Sequence, residues 1–510
     1  MLISRRGGLF AAVCSAGLIC GVAAGPAAAE TLADAIALAY DSNPTLQAQR
    51  ATQRALDETW LQARTGYRPS LSVSVQANYQ QSKVPGARGL VDTNGDGIPD
   101  ALASTSFSES NSGSGTFTFS QPIYTGGRVA AAMNAAEADI LTGRENLRRV
   151  EAQVVGAVVQ AYVDVRRDQE ALHIRQEDLT VLQRQLEESK ARFDVGEITR
   201  TDVAQSEARL AASQAAVQSA QAQLAISRSN YAAVVGQNPG ELAPEPSLAP
   251  LLPGSIEQGF DIAERDNAQI RAAQYAEQAS KERVSQARAQ RMPTVSVRAT
   301  LGYDGVVEPL HTDKWSQNIT GSAVLSVPLF TGGLASSQIR QAIERNNTDR
   351  IGIETARRAV QQGLTQSWSA LLANRANITS TDEQVRAAQI AAEGVHQEQQ
   401  VGLRTTIDVL NAEQELRAAQ LAQISARHDE YVAAAGVLNQ LGRLQADYLT
   451  PQLPHYDPKA NFGKLRLTWG WVPWEEPIAV VDSALVPQAK EKPLDSPSAV
   501  IGAKPSAPSK

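Results

Sequence analysis

Four short stretches of the chain alternate apolar and polar residues with a period of two. In 70–79, Leu71, Val73, Val75, Ala77 and Tyr79 are separated by polar residues. In 115–124, Phe117, Phe119 and Ile123 alternate with Thr116, Thr118 and Ser120. Val295, Val297, Ala299, Leu301 and Tyr303 share one face of 294–303, and Ile319, Ala323, Leu325, Val327 and Leu329 share one face of 318–329. Such alternation over about ten residues predicts a strand with lipid on one side and water on the other, or a half-buried strand of a soluble sheet.

Two other stretches carry helical periodicity. Val203, Leu210, Val217, Leu224 and Tyr231 recur every seven residues, and Leu147, Val150, Val154, Val158 and Tyr162 form a second stripe. Proline is absent from Ile123 to Asn238 and from Leu329 to Thr450. Alanine, glutamine, arginine and glutamate fill both stretches, and proline in a helix interior costs about 3 kcal/mol. Helices over 128–193 and 334–400 are expected, each about 100 Å long at 1.5 Å per residue. An ordinary helical bundle is the plainer reading, but bundle helices are seldom this long.

The two sets of elements repeat. Val195, Gly196, Asp202 and Val203 recur 206 residues later as Val401, Gly402, Asp408 and Val409. Pro122 and Thr125-Gly126-Gly127 match Pro328 and Thr331-Gly332-Gly333 at the same offset. Asn43 and Pro69 match Asn267 and Pro293 at an offset of 224, so the first hairpin is longer by 224 minus 206, or 18 residues. The expected layout is a signal peptide at 1–29, a first repeat at 30–238, a linker at 239–254 with five prolines, a second repeat at 255–450, and a largely disordered tail at 451–510. Polar tips at 194–203 and 401–409 join the long helices. Trp469, Trp471 and Trp474 form a cluster in the tail.

Arg5 and Arg6, the apolar run from Leu9 to Ala24, and Ala27-Ala28-Ala29 read as an export signal of the general kind. Both cysteines, Cys14 and Cys20, fall inside it, which leaves no disulfide or lipid anchor after cleavage. Loss of the two arginines takes the balance to 45 basic against 54 acidic residues, or −9, which argues against nucleic acid as a partner. Beyond the signal no run of 18 apolar residues occurs, so a membrane role would fall to the strands. Four strands cannot close a barrel, and lipid does not tolerate an open edge. Several chains would have to share one barrel, eight strands from two chains or twelve from three.

With these features the sequence resembles the TolC family of trimeric outer-membrane channel proteins. The carriers are the duplicated helix–hairpin–helix plan, Thr-Gly-Gly after the second strand of each hairpin, and the paired Val-Gly…Asp-Val tips; Val235-Gly236 and Leu441-Gly442, ending each repeat, are also similar. The resemblance covers about residues 31–442. It implies an α+β membrane protein, a homotrimer with a twelve-stranded barrel among outer-membrane lipid, continued by a periplasmic α-helical barrel. It also implies a periplasmic adaptor and an inner-membrane pump of the ABC, RND or MFS type as partners, with drugs or unfolded proteins as cargo (the latter in type I secretion). A non-conducting coiled-coil protein of the envelope is the alternative, and it leaves the four matched strands unexplained.

By resemblance, Val195, Gly196, Glu197, Val401, Gly402 and Leu403 contact the adaptor; without it, these are simply helix-to-helix turns. Arg404 stands where the family has a latch arginine, with Asp202 and Thr201 as its partners and Asp408 as an inward-facing aspartate. Asn411 replaces a second aspartate and Gln399 a latch tyrosine, which implies a weaker latch and a shallower cation site. Asp202 also fits the N-cap of the following helix. Asp92, Asn94, Asp96 and Asp100 space oxygens like the start of a calcium loop, but Ala103 stands where the closing glutamate belongs; a polar surface loop fits as well. The five histidines (173, 311, 396, 428, 455) show no metal-ligand spacing, and there is no phosphate loop or nucleophile elbow. The expectation is a channel, not an enzyme, without a cofactor.

Overall fold

The computed structural model describes residues 29–85, 90–91, 95, 97–98, 101–102, 106–307, 314–452, 455–466, 472–484 and 486. The expected signal peptide, with Cys14 and Cys20, lies outside these residues apart from Ala29. So do Asp92, Asn94, Asp96 and Asp100 of the calcium-like loop, and Trp469 and Trp471.

Helices α1 (Leu32–Ser42) and α2 (Pro44–Arg64) lead into strand β1 (Ser70–Val84). The short strands β2 (Leu90–Val91) and β3 (Ala101–Leu102) pair with each other, and β4 (Ser106–Tyr124) returns. Helix α3 (Arg128–Asp194, 67 residues) and α4 (Arg200–Val235, 36 residues) form a long hairpin. The same order follows in α5 (Ile256–Asp266), α6 (Ala268–Ala289), β5 (Thr294–Val306), β6 (Ser316–Ser326), α7 (Leu334–Gln400, 67 residues) and α8 (Thr406–Leu441, 36 residues). β1 and β4 run beyond the alternating stretches read from the sequence. β6 stops at Ser326, so Val327 to Leu329, next to Pro328, are not strand.

β1, β4, β5 and β6 make one antiparallel sheet in the order β1-β4-β5-β6. Its register aligns the four alternating patterns. Val73, Phe117, Leu301 and Ile319 lie in one cross-strand row, and Leu71, Phe119, Ala299 and Gly321 in another on the same side. Between them run Ser72, Thr118, Thr300 and Thr320, facing the opposite way. Paired residues of a sheet share a face, so a slip of one residue would mix the two surfaces. One face is therefore apolar and exposed, the other polar, and β1 and β6 leave open edges.

Asn43 and Asn267 play the same part in each half. Each caps the helix after a kink: the Asn43 Oδ1 accepts from Thr45 N at 3.0 Å, and the Asn267 Oδ1 from Gln269 N at 2.8 Å. Each also donates its amide to the end of the helical hairpin of its own half, to Val234 O at 3.0 Å and Gln440 O at 2.8 Å. The main core lies here, around Tyr162, Tyr231, Leu364, Leu438 and Leu441. The Tyr162 hydroxyl donates to the Glu30 and Ala243 carbonyls, which ties the proline-rich linker to the start of the first repeat. In α4 the heptad partly holds: Val217, Leu224 and Tyr231 are buried, Val203 and Leu210 only half so. Ser206, Ser213, Ala220 and Ser227, also seven apart, are buried, and the Ser189 and Ser206 hydroxyls meet at 3.2 Å.

The segment from 451, expected to be largely disordered, instead holds helices α10 (Ala460–Arg466) and α11 (Glu475–Ala484), after the single turn α9 (Ala446–Leu449). α10 runs along α2 in parallel sense, and α11 continues past the end of α2 to pack on the start of α3. The Tyr456 N–H donates to the Tyr40 hydroxyl at 3.0 Å, and the Arg50 guanidinium lies over both tyrosine rings at 4.3 and 5.0 Å. Phe462 stands edge-on to Trp60 at 5.4 Å, and Asn461 donates to Asp57 at 2.8 Å. Glu475 pairs with Arg64 and Arg68. Asp482 is fully buried: it accepts from Thr125 N and Gly127 N, both at 2.9 Å, from Thr125 Oγ1 at 2.8 Å and from Tyr67 OH at 3.0 Å. Gly127, the N-cap of α3, lacks a side chain to cap the helix, and Asp482 supplies the carboxylate from 355 residues away. Proline-rich, aperiodic sequence alone reads as disorder; partners on α2 and at the start of α3 give this strap its structure.

Candidate functional site

The two helical hairpins end in turns of the same build. After α3, Val195 leaves helical geometry and Gly196 takes φ +82°; its N–H donates to Phe193 O at 2.9 Å, and that of Glu197 to Arg192 O at 2.9 Å. After α7, Gly402 takes φ +78°, with Gly402 N to Gln399 O and Leu403 N to Glu398 O, both 2.9 Å. A left-handed residue with these bonds closes a helix C-terminus, and glycine adopts it without a Cβ clash. Val195, Gly196, Glu197, Val401, Gly402 and Leu403 are all exposed.

Asp202 is not the N-cap of α4. Thr199 is, and Asp202 is the third helical residue, reaching back so that its Oδ2 accepts from Thr199 N at 2.9 Å and Thr199 Oγ1 at 2.8 Å. Asp408 does the same for Thr405, at 3.0 and 2.7 Å. This is the reciprocal half of a capping box, and Thr-x-x-Asp is its sequence sign. Bonds from the threonine hydroxyl and N–H hold both carboxyls below the usual aspartate range, with Arg404 adding to the effect at Asp408. Both aspartates therefore stay ionised through the neutral range.

Within the chain Arg404 pairs with Glu398 at 2.8 Å, a partner that sequence reading missed, rather than with Asp202. Thr201 is exposed and Gln399 is buried. The Asn411 Oδ1 accepts from Arg209 of α4 at 3.1 Å, and Arg209 also bonds Gln414. Arg209 lies between two and three turns into α4 and Asn411 less than two turns into α8, so this contact sets the two tips side by side.

A seam between α3 and α8 joins the hairpins. Arg417 sits among Glu177, Asp178 and Glu413 at 3.7–3.9 Å. Higher up, the His428 Nε2 meets Asp164 at 2.7 Å and its Nδ1 meets Asp429 at 2.9 Å, beside Gln160 and Arg167. Burial pushes the imidazole pKa down, but the bonds from Asp164 and Asp429 outweigh it and the net shift is upward. A raised folded-state pKa stabilises the seam below the unfolded value of about 6.5, and that contribution fades as pH rises through the folded value. The midpoint of thermal unfolding should fall as pH goes from 6 to above 8. In His428→Gln this fall should be smaller, with a loss of about 1 kcal/mol at pH 6; parallel pH profiles for parent and variant would remove the assignment.

Among the described residues no group of three or more His, Cys, Asp or Glu could hold a metal ion, and no helix is long and apolar enough to cross a membrane. A sheet apolar on one face and capped hairpins about 100 Å long, together with a match to a family of outer-membrane efflux proteins, define the class as an outer-membrane channel protein. Residues 35–237 and 260–443 match the outer membrane efflux protein family, and the chain belongs to that family. It is 33% identical over 444 residues to the outer membrane efflux protein BepC of Brucella suis biovar 1 (strain 1330), covering 87% of this chain and 92% of BepC. The outer membrane protein TolC of Escherichia coli (strain K12) is 24% identical over 437 residues, covering 82% and 83% of the two chains. The solved open state of the Neisseria gonorrhoeae MtrE outer membrane channel matches with a TM-score of 0.66 at 20% identity, covering 82% of this chain and 90% of that one, a likeness of fold.

Proposed function

We propose that three copies of this chain close a twelve-stranded barrel in the outer membrane and continue it as a periplasmic α-helical tunnel. The tunnel docks through the tips onto a periplasmic adaptor and an inner-membrane pump, and exports small molecules or proteins. The observation that carries this is the sheet: four strands with apolar rows in register on one side, polar rows on the other, and both edges open. An open edge in lipid leaves backbone groups unpaired at several kcal/mol each, which favours closure by further copies. Detergent-purified protein should sediment as a trimer and conduct ions in planar bilayers. A monomer with full strand content, or a trimer without conductance, rules the reading out; the latter would favour a structural envelope protein.

The constriction is assigned to the tip-proximal charges. Three Asp408 carboxylates brought to a threefold axis would attract cations, since like charges held together raise the local negative potential. Arg404, with Glu398 in its own chain and Asp202 and Thr201 on a neighbouring helix pair, would hold the end closed. Asp408→Ala should reduce cation selectivity and block by multivalent cations, and Arg404→Ser should raise conductance or open probability. Asn411→Asp should add less block than a free second ring, because Arg209 is already placed to pair with the new carboxylate. Bilayer recordings of the three variants decide this: unchanged block in Asp408→Ala and unchanged conductance in Arg404→Ser would move the constriction elsewhere.

A further inference from the structure

The amphipathic order of α11 is reversed. The side turned to the protein carries Glu475 and Asp482 with Ile478, all buried. The side turned outward carries Val480, 67% exposed, and Val481, 52% exposed, with Pro477 and Ala484 between them around the helix and the exposed Glu476 and Ser483 along its edge beside Val480; Trp474 just before it is also exposed. A helix at a protein–water boundary does the opposite, with apolar residues inward and charges outward. The carboxylates are inward for a reason already given: they hold Arg64, Arg68, Tyr67, Thr125 and Gly127. Those bonds do not require valines on the other side.

The position of α11 says what the outward face meets. Tyr67 precedes the start of β1 at Ser70, and Thr125 follows the end of β4 at Tyr124, so Asp482 pins the helix to the joint where strands become helices. The apolar face of the sheet begins one residue into β1, at the exposed Leu71. At the corresponding joint of the second half, Leu329 is 93% and Phe330 89% exposed, just before Thr331-Gly332-Gly333. Exposed apolar side chains thus stand at both joints, next to the ends of the strands that carry the apolar sheet face. Valine, leucine and aromatic side chains facing outward beside ionic groups facing inward suit a helix lying along a lipid surface.

We propose that α11 is an interfacial helix, resting its Val480–Val481 face on the inner leaflet of the outer membrane, with Asp482 and Glu475 as its attachment to the channel. The proposal rests on the reading of β1, β4, β5 and β6 as membrane strands. It gives the C-terminal strap a role, as a second hold on the bilayer outside the barrel wall, placed at the joint where barrel and periplasmic helices could bend against each other.

The test uses the full chain, whose cysteines, Cys14 and Cys20, both lie in the expected signal. Val480→Cys and Val481→Cys carry a nitroxide label, with Val75→Cys on the apolar strand face and Lys459→Cys on the exposed strap before α10 as references. In vesicles of phosphatidylethanolamine and phosphatidylglycerol, collision with oxygen is compared with collision with a water-soluble nickel chelate. Positions 480, 481 and 75 should favour oxygen several-fold over nickel, and 459 should favour nickel. Water-like values at 480 and 481 with a lipid-like value at 75 overturn the interfacial helix and leave the barrel standing. Labels at 480 and 481 shielded from both agents place the face against a neighbouring copy and also overturn it. A water-like value at 75 removes the strand reading and this proposal together.

Discussion

A chain carrying Gly196→Arg and Gly402→Arg is expected to reach the outer membrane in normal amount and to export nothing. Both glycines face open space, with no atom within 4 Å of a built Cβ, so the added side chains meet no neighbour in their own chain. Their positive φ costs an L residue about 1–2 kcal/mol each, spread over turns some 100 Å of helix away from the sheet. Assembly of the strands is therefore untouched. What changes is the tip surface, where Val195, Glu197, Val401 and Leu403 stand exposed around each glycine and an adaptor would need to approach the backbone closely. Gly196→Ala with Gly402→Ala introduces the same strain without bulk or charge and should keep most export. In a strain with this chain as its sole outer-membrane exporter, susceptibility to exported compounds should rise at least about tenfold for the arginine pair, a loss of roughly 1.4 kcal/mol or more in effective docking. Full resistance with the arginine pair, at normal channel abundance, would falsify adaptor contact at the tips.

Gly442→Ala should be the most damaging single methyl in the molecule's helical part. Gly442 closes α8 at φ +74°, and a Cβ there would lie 2.5 Å from the Asp266 carbonyl oxygen, 2.9 Å from its carbon and 3.0 Å from the Asn267 Cα. All three are backbone atoms at the α5–α6 kink, and Asn267 is itself tied to Gln440 O. Nothing flexible can give way, so the kink must separate from α8 beside the main core. Overpacking and left-handed strain together amount to roughly 3–5 kcal/mol. Gly352→Ala is the control, a mid-helix glycine in α7 with open space, and should be neutral or stabilising by up to about 1 kcal/mol. Thermal unfolding and the yield of protease-resistant protein should separate the two variants widely. Similar midpoints would mean that α8 and the kink are not packed as described.

The contrast between these glycines bears on what was legible beforehand. Thr-Gly-Gly, the tip glycines and the matched Asn43 and Asn267 could all be read as breakers at repeated places, because a positive φ or a cap is a local demand and a local residue type answers it. That Gly442 is packed against backbone while Gly402 is free could not be read, since both end a helix in the same way.

Elements whose cause is local were determined by the sequence alone. Period-two alternation marked the four strands, and proline-free stretches rich in helix formers marked the two 67-residue helices to within a residue of their ends. Thr199 and Asp202 were three residues apart and visible as a capping box, although the aspartate was read as the cap itself. The tertiary structure alone decided the pairings across long separations. Register placed Val73 beside Phe117, Leu301 and Ile319. Folding brought Arg209 to Asn411, 202 residues away, and His428 to Asp164, 264 residues away. The tail shows the difference most plainly. Its proline-rich, aperiodic sequence carries no local drive to order. Asp482 is nevertheless fully buried, because Tyr67, Thr125 and Gly127 converge on it from more than 350 residues earlier in the chain. Periodicity reports which face a residue occupies; only closure of the chain on itself reports which other residue it meets there.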